Sequence, residues 1–225
     1  MTDLTGLAEQ VGEALLKRGR VLATAESCTG GWVAKLVTDV AGSSQWFDRG
    51  FVTYSNPAKQ AMLGVSADTL ARHGAVSRAT AIEMARGALR NSDADLTVAV
   101  TGIAGPSGGT DRKPVGLVWY GLAWREVGQI HDYATKSVFP SGREMVRTFA
   151  SHKALDLESL GREQGQGNRP LVVNLVFGVA VDQGPQTLIL GWNLGHLTFL
   201  GIQFTSHEQV LSFWLSCSRA SKTWM

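Results

Sequence analysis

Val21-Leu22-Ala23-Thr24-Ala25, then Glu26-Ser27-Cys28-Thr29-Gly30-Gly31, then Trp32, Leu36, Val37 and Val40 at helical spacing: this stretch decides the fold. An apolar run that stops at a polar, glycine-bearing turn and resumes with a helical period reads as strand, turn, helix. Unpaired backbone N–H groups at such a helix start favour an anion or a developing oxyanion, and the two glycines let a ligand come close. The plain alternative is an ordinary strand-to-helix turn with Thr29 as the helix N-cap. A nucleotide-binding Walker loop is ruled out, because the Gly-Lys-Ser/Thr ending is missing.

Working outward, Asp3 to Lys17 carries Leu4, Leu7, Val11 and Leu15 on one helical stripe, so an amphipathic helix is expected to lie on a sheet. A second strand is read over Gly50 to Ser55, followed by Asn56-Pro57, with Pro57 in the first turn of a short helix holding Lys59 and Leu63. A helix follows over residues 78–90. Asp95 to Thr101, with Leu96, Val98 and Val100 alternating, reads as a buried strand that empties into the glycine-rich loop from Gly102 to Thr110. Val115 to Trp124 and Ile130 to Phe139 read as two strands joined by a short polar turn, an antiparallel hairpin added to an otherwise parallel sheet. A helix over residues 141–160 closes the domain. Strands alternating with helices predict an α/β fold, a three-layer α/β/α sandwich with a mostly parallel mixed sheet and functional loops at the carboxyl ends of the strands.

The domain is therefore placed at residues 1–160. Beyond Leu160 the chain turns polar and glycine-rich, then apolar without helical or strand discipline, so residues 161–225 are read as a separate appendage of unknown structure. Neither apolar run there, Leu171 to Val181 or Thr187 to Gly201, reaches the roughly 18 residues of a membrane span.

Charged residues make up 18% of the chain and the formal net charge is +2, which suits neither a nucleic-acid binder nor a disordered segment and points to a small-molecule protein. Cys28 and Cys217 are the two cysteines, too far apart for a disulfide framework or a zinc site, and Met1 to Gln10 lacks the features of a signal peptide. A cytoplasmic setting is expected. The histidines show no metal-ligand spacing, so no catalytic metal is expected.

Three further stretches carry functional groups. Thr53-Tyr54-Ser55-Asn56-Pro57-Ala58-Lys59 offers a phenol, a hydroxyl and an amine beyond a strand end; a lysine there is a base only if burial or a neighbouring cation lowers its pKa, and otherwise is solvated. Thr101 to Thr110 could cradle a phosphate or a planar ring with its main chain, or be a flexible hairpin loop. Arg143 and Arg147 share a helix face and suit a phosphate, or form a charged solvated face.

Taken together, the chain resembles the C-terminal domain family of competence-damage-inducible protein CinA, whose stand-alone members are nicotinamide-nucleotide amidohydrolases. The resemblance rests on Thr24 to Gly31, Gly42-Ser43-Ser44, Val52 to Asn56 with Lys59, Leu63-Gly64-Val65 and Gly74-Ala75-Val76-Ser77. It continues through Thr101 to Pro106, Gly108-Gly109-Thr110, Lys113 to Gly116, and Gly142-Arg143 with Arg147. It covers about residues 5–157.

What the resemblance implies is hydrolysis of the carboxamide of nicotinamide mononucleotide to nicotinate mononucleotide and ammonia, without a cofactor, in pyridine nucleotide salvage. Amide hydrolysis needs a nucleophile, a base, oxyanion donors and a proton for ammonia. On this reading Ser27 attacks, neutral Lys59 takes its proton and later delivers one to ammonia, and Tyr54 orients the pair. Backbone N–H groups of Thr29, Gly30 and Gly31 hold the oxyanion. The loop with Thr101, Gly102 and Gly105, together with Arg143, binds the ribose phosphate. Cys28 is the rival nucleophile, disfavoured because it points away from Ser27 and lacks a histidine partner. The expected partners are a small-molecule nucleotide and further copies of the chain in a homo-oligomer, with no nucleic acid and no membrane. The competing readings are a non-catalytic nucleotide-sensing or interaction module, or hydrolysis of another small amide or of a nucleotide phosphate.

Overall fold

The computed structural model describes residues 4–156. The appendage expected over 161–225 and positions 157–160 of the expected closing helix lie outside them; that helix is observed over Arg143–Leu155, capped at Asp156. In chain order the elements are α1 Leu4–Leu16, β1 Leu22–Glu26, α2 Trp32–Thr38, β2 Phe47–Val52, α3 Asn56–Leu63, α4 Ala67–His73, α5 Arg78–Arg90, β3 Leu96–Gly102, β4 Leu117–Glu126, β5 Gln129–Val138 and α6 Arg143–Leu155.

Local chemistry sets the helix starts. Ser55, Ser66 and Ser77 are extended residues whose hydroxyls accept from the backbone N–H three positions on, the cap that starts α3, α4 and α5. Pro57 sits in the first turn of α3, where its missing N–H leaves no bond unmade.

The five strands lie in the order β2-β1-β3-β4-β5. β1 is parallel to both neighbours, whereas β4 runs antiparallel to β3 and to β5, so four strands point one way and only β4 opposes them. Helices cover both faces. On one face Leu22, Val98, Val118 and Leu122 pack with Val11 and Leu15 of α1, Val33 and Val37 of α2, and Val146 and Ala150 of α6. On the other, Ala25, Ala99 and Ala123 meet Leu63 of α3 and Met84, Ala85 and Ala88 of α5, with Leu70 of α4 beside them. Each of the large apolar side chains fully buried in these layers contributes about 1.5–3 kcal/mol. The second face is made of small residues, so α5 comes close: a Cβ at Gly121 of β4 would meet the Ala81 carbonyl oxygen at 2.1 Å.

Four local departures from the expected elements are found. The second strand begins at Phe47 and ends at Val52, so Thr53 to Ser55 belongs to the loop. Its register against β1, Leu22 with Phe47 and Glu26 with Val52, fixes those bounds, and charged Asp48 and Arg49 are tolerated because β2 is an edge strand. Helix α4 was not expected, and α2 stops before Val40. The turn of the β4–β5 hairpin is Val127-Gly128, with φ 47° and 76°, rather than a polar one.

Candidate active site

The turn after β1 is anchored from several sides. Ser27 N–H donates to the Val100 carbonyl on β3 at 2.9 Å, and Gly30 N–H donates to the Ser27 carbonyl at 3.1 Å, closing a four-residue turn. Gly30 and Gly31 follow with φ of 63° and 92°, left-handed values that favour glycine. The Glu26 side chain, fully buried, folds back under the start of α2: its Oε2 accepts from Gly31 N–H and Val33 N–H, both at 3.0 Å, and its Oε1 from Ala34 N–H at 2.8 Å. A carboxylate on the N-terminal amides of a helix is favourable in charge and satisfies orphan donors.

This arrangement changes the expected donor set. The helix start is filled by the protein's own carboxylate, and the N–H groups of Gly31 and Gly30 are committed to Glu26 and to the Ser27 carbonyl. Of the three expected oxyanion donors only the Thr29 N–H makes no hydrogen bond to a carbonyl or carboxylate of the described residues, and the Cys28 N–H beside it makes none either; Cys28 itself lines the cavity. Nor is Thr29 the N-cap: Gly31 holds that position, and the buried Thr29 hydroxyl has no hydrogen-bond partner among the described residues.

Lys59, in the first turn of α3, is 1% exposed. Its Nζ lies 2.9 Å from Ser27 Oγ, 2.8 Å from the Thr53 carbonyl and 3.5 Å from the Tyr54 carbonyl. An ammonium donates to all three; a neutral amine keeps the two carbonyls and turns its lone pair to the serine O–H. Burial pushes this amine down from the ordinary 10.5 to about 8, with the Cys28 sulfur acting weakly the other way. The neighbouring thiol moves in the opposite direction: burial, aided by the charge of Glu26, pushes Cys28 up to about 12, so it stays protonated near neutral pH.

Ser27, Cys28 and Lys59 form one wall of a cavity of about 230 Å³, whose other walls come from Tyr54, Ala75, Val76, Thr101, Gly102, Ala104 and Arg143. Tyr54 does not orient the Ser27–Lys59 pair through its ring. Its side chain is largely exposed, and its hydroxyl accepts from Arg143 Nη2 at 3.0 Å, leaving the Thr53 carbonyl as the nearer anchor of the amine. Arg143 Nη1 donates to the Gly105 carbonyl at 2.9 Å, so this guanidinium bridges the glycine-rich loop and Tyr54. Thr101 donates its hydroxyl to the Ala75 carbonyl at 2.8 Å. Gly102 admits no side chain: a Cβ there would lie 2.8 Å from the Leu117 carbonyl and 3.1 Å from Cys28 Sγ. The loop is tied down at its base by bonds between Ile103 and Leu117 and between Gly116 and Ile103, and Lys113 Nζ donates to the His73 carbonyl at 2.6 Å.

With the site in view, the relationships of the chain can be read. The family model of the CinA C-terminal domain matches residues 4–159. The chain belongs to the CinA C-terminal domain family. A nicotinamide-nucleotide amidohydrolase PncC from Shigella flexneri is 53% identical over 165 residues, covering 69% of this chain and 93% of the relative. The PncC of Escherichia coli K12 is 54% identical over 157 residues, with the same coverage of both chains. Among solved structures, the competence/damage inducible protein CihA from Agrobacterium tumefaciens is 45% identical, with a TM-score of 0.66, covering 71% of this chain and 95% of that one. The α/β architecture is thus that of CinA superfamily proteins of known structure.

Sequence reading missed three parts of this CinA-family site. Glu26 had no role assigned, although a lone acid at the end of an otherwise apolar strand, just before a helix, is a signal for such a cap. Ala75 and Val76 line the cavity from the segment between α4 and α5. Arg147, for which the sequence allows a phosphate ligand or a solvated charge, is engaged within the protein: its Nη2 donates to the Thr29 carbonyl at 2.9 Å and its guanidinium lies 5.3 Å over the Trp32 ring. Among the described residues, no group of three His, Cys, Asp or Glu side chains could hold a metal, and no helix is long and apolar enough to cross a membrane.

Proposed function

We propose that this chain hydrolyses the carboxamide of nicotinamide mononucleotide, giving nicotinate mononucleotide and ammonia in pyridine nucleotide salvage, and that residues 1–160 hold the activity. The observation that carries this reading is the 2.9 Å contact between a buried Lys59 amine and the Ser27 hydroxyl at the wall of a cavity, in a family with nicotinamide-nucleotide amidohydrolases among its members.

Neutral Lys59 accepts the Ser27 proton as Oγ attacks the carboxamide carbon, and the N–H groups of Cys28 and Thr29 receive the oxyanion. The Lys59 ammonium then protonates the departing nitrogen, ammonia leaves, and an ester to Ser27 remains. Water, deprotonated by Lys59, attacks this ester; the C–Oγ bond breaks and the proton returns to Ser27. This is a serine–lysine version of the triad logic, and a base poised at about 8 suits it. Arg143, with Tyr54 and the loop of Thr101, Gly102 and Gly105, takes the ribose phosphate at the open side. No step calls for a cofactor. A cytoplasmic, homo-oligomeric enzyme completes the reading, and light scattering on the purified chain decides the second attribute.

The test is release of ammonia from nicotinamide mononucleotide in the presence of a chelator. Ser27→Ala should abolish it and Cys28→Ala should retain most of it, since the thiol is protonated and does not react. An active Ser27→Ala beside a dead Cys28→Ala would move the nucleophile one residue along, and orthophosphate in place of ammonia would refute the reaction.

A further inference from the structure

We infer that Arg147 is a positioning residue for the oxyanion site, acting through the backbone of the Ser27–Gly30 turn and not on the substrate; the inference rests on the amidohydrolase reading above. Arg147 does not line the cavity. It stands one helical turn beyond Arg143 on α6, and the two guanidinium groups reach different places: Arg143 the Gly105 carbonyl and Tyr54 at the cavity mouth, Arg147 the Thr29 carbonyl.

The geometry gives that contact a catalytic meaning. The peptide between Thr29 and Gly30 is held at both ends, its oxygen by Arg147 Nη2 at 2.9 Å and its N–H by the Ser27 carbonyl at 3.1 Å. Holding this peptide at both ends restricts ψ of Thr29 and so narrows the directions open to the Thr29 N–H, one of the two donors proposed for the oxyanion. The other flank of the turn is already secured: Ser27 N–H is bonded to β3 and Gly31 N–H to Glu26. Arg147 is 118 residues from Thr29, the long-range side-chain clamp on the turn's own carbonyl. Its guanidinium is also held by a cation–π contact, with its carbon 5.3 Å over the ring of Trp32, the first residue of α2. A guanidinium that donates to a carbonyl from one nitrogen while its charge faces a ring is a task that lysine, with a single point charge, does not reproduce.

The experiment compares full-length wild type, Arg147→Ala and Arg147→Lys in steady-state ammonia release from nicotinamide mononucleotide across pH. Loss of a direct oxyanion donor costs about 10²–10³ in kcat, so misdirecting one should lower kcat by at least about ten-fold. KM should stay within about two-fold and the pH at half-maximal rate, set by Lys59, should not move. Arg147→Lys, which keeps the charge, should stay about ten-fold down. Methylguanidinium should restore kcat of Arg147→Ala saturably, where methylammonium does not. A rise in KM with kcat unchanged would overturn the inference by making Arg147 a substrate ligand. A shifted pH profile would overturn it by making Arg147 act on the Lys59 charge, as would wild-type rates in Arg147→Lys. Should Arg147→Ala not fold, Arg147→Lys alone decides by the same readouts. Wild type that releases no ammonia overturns both this inference and the proposed reaction, whereas an active wild type with unaffected variants overturns only this one.

Discussion

Replacing Lys59 by methionine should abolish ammonia release and change stability in a way that depends on pH. The amine is 1% exposed and burial holds it at about 8, against the ordinary 10.5. A lysine whose folded value lies below its unfolded one weakens the fold wherever both states carry the charge. That penalty is full below about 8, shrinks as pH rises towards 10.5, and is gone above it. Its size, from the two values, is about 3 kcal/mol. Methionine has a similar length and no charge, so Lys59→Met removes the penalty, while leaving the Thr53 carbonyl and Ser27 hydroxyl short of a donor. The loss of those bonds is a constant offset; the titration is not. Urea unfolding of both proteins at intervals from pH 7 to 11 should therefore show wild type gaining on the variant by about 3 kcal/mol across this window, at up to about 1.4 kcal/mol per pH unit. Wild-type activity should climb through the lower part of the same window, since the proposed base is the neutral amine. Parallel stability curves would refute the reasoning, because they would mean that Lys59 ionises alike in the folded and unfolded chain.

Two further substitutions separate binding from architecture. Arg143→Ala should raise KM for nicotinamide mononucleotide by about ten- to a hundred-fold while leaving nicotinamide riboside, which has no phosphate, little affected; equal impairment of both substrates would take the phosphate away from Arg143. Glu26→Gln should lower stability by about 1–3 kcal/mol and depress kcat, because the amide NH2 must face one of the backbone donors that the carboxylate now accepts; an unchanged melting temperature would refute the capping role.

The sequence made the layered α/β plan legible because its signals are local. Leu96, Val98 and Val100 alternate on a strand, Ser77 opens α5 at the residue expected, and the turn from Glu26 to Gly31 falls between strand and helix. Ser27 and Lys59, by contrast, are 32 residues apart, and no spacing rule joins them. Their pairing came from resemblance to a family and gained its physical content only from the 2.9 Å contact. What stayed hidden depends on hydrogen bonds already committed in three dimensions. That the Tyr54 hydroxyl belongs to Arg143 and that Arg147 holds Thr29 require partners brought together from distant elements; the bond from Gly31 N–H to Glu26 spans only five residues, and its signal is local. The start of β2 and the whole of α4 were missed for another reason. Asp48 and Arg49 obscure an edge strand, and α4 is too short for its apolar residues to set a period.

The β4–β5 hairpin has an implication for how such chains can change length. β3 arrives at the rim that carries the cavity at Gly102, paired with Val118; β4 runs away from that rim to Glu126, and β5 returns from Gln129 to Val138, paired with Leu117. A bond from Phe139 N–H to the Gly116 carbonyl at 3.0 Å closes the return, and α6 starts a few residues later with Arg143. The excursion thus begins and ends at the site, with its tip at the opposite rim, where Val127 is 97% exposed. Trimming or adding one facing pair of residues at that tip would shorten or lengthen the ribbon by about 3.4 Å and leave the arginines where they stand. An unmatched single residue would instead turn the side chains of one strand to the wrong face. Length can therefore drift at this tip in even steps, and a passenger segment spliced between Val127 and Gly128 would ride on the far rim, away from the chemistry.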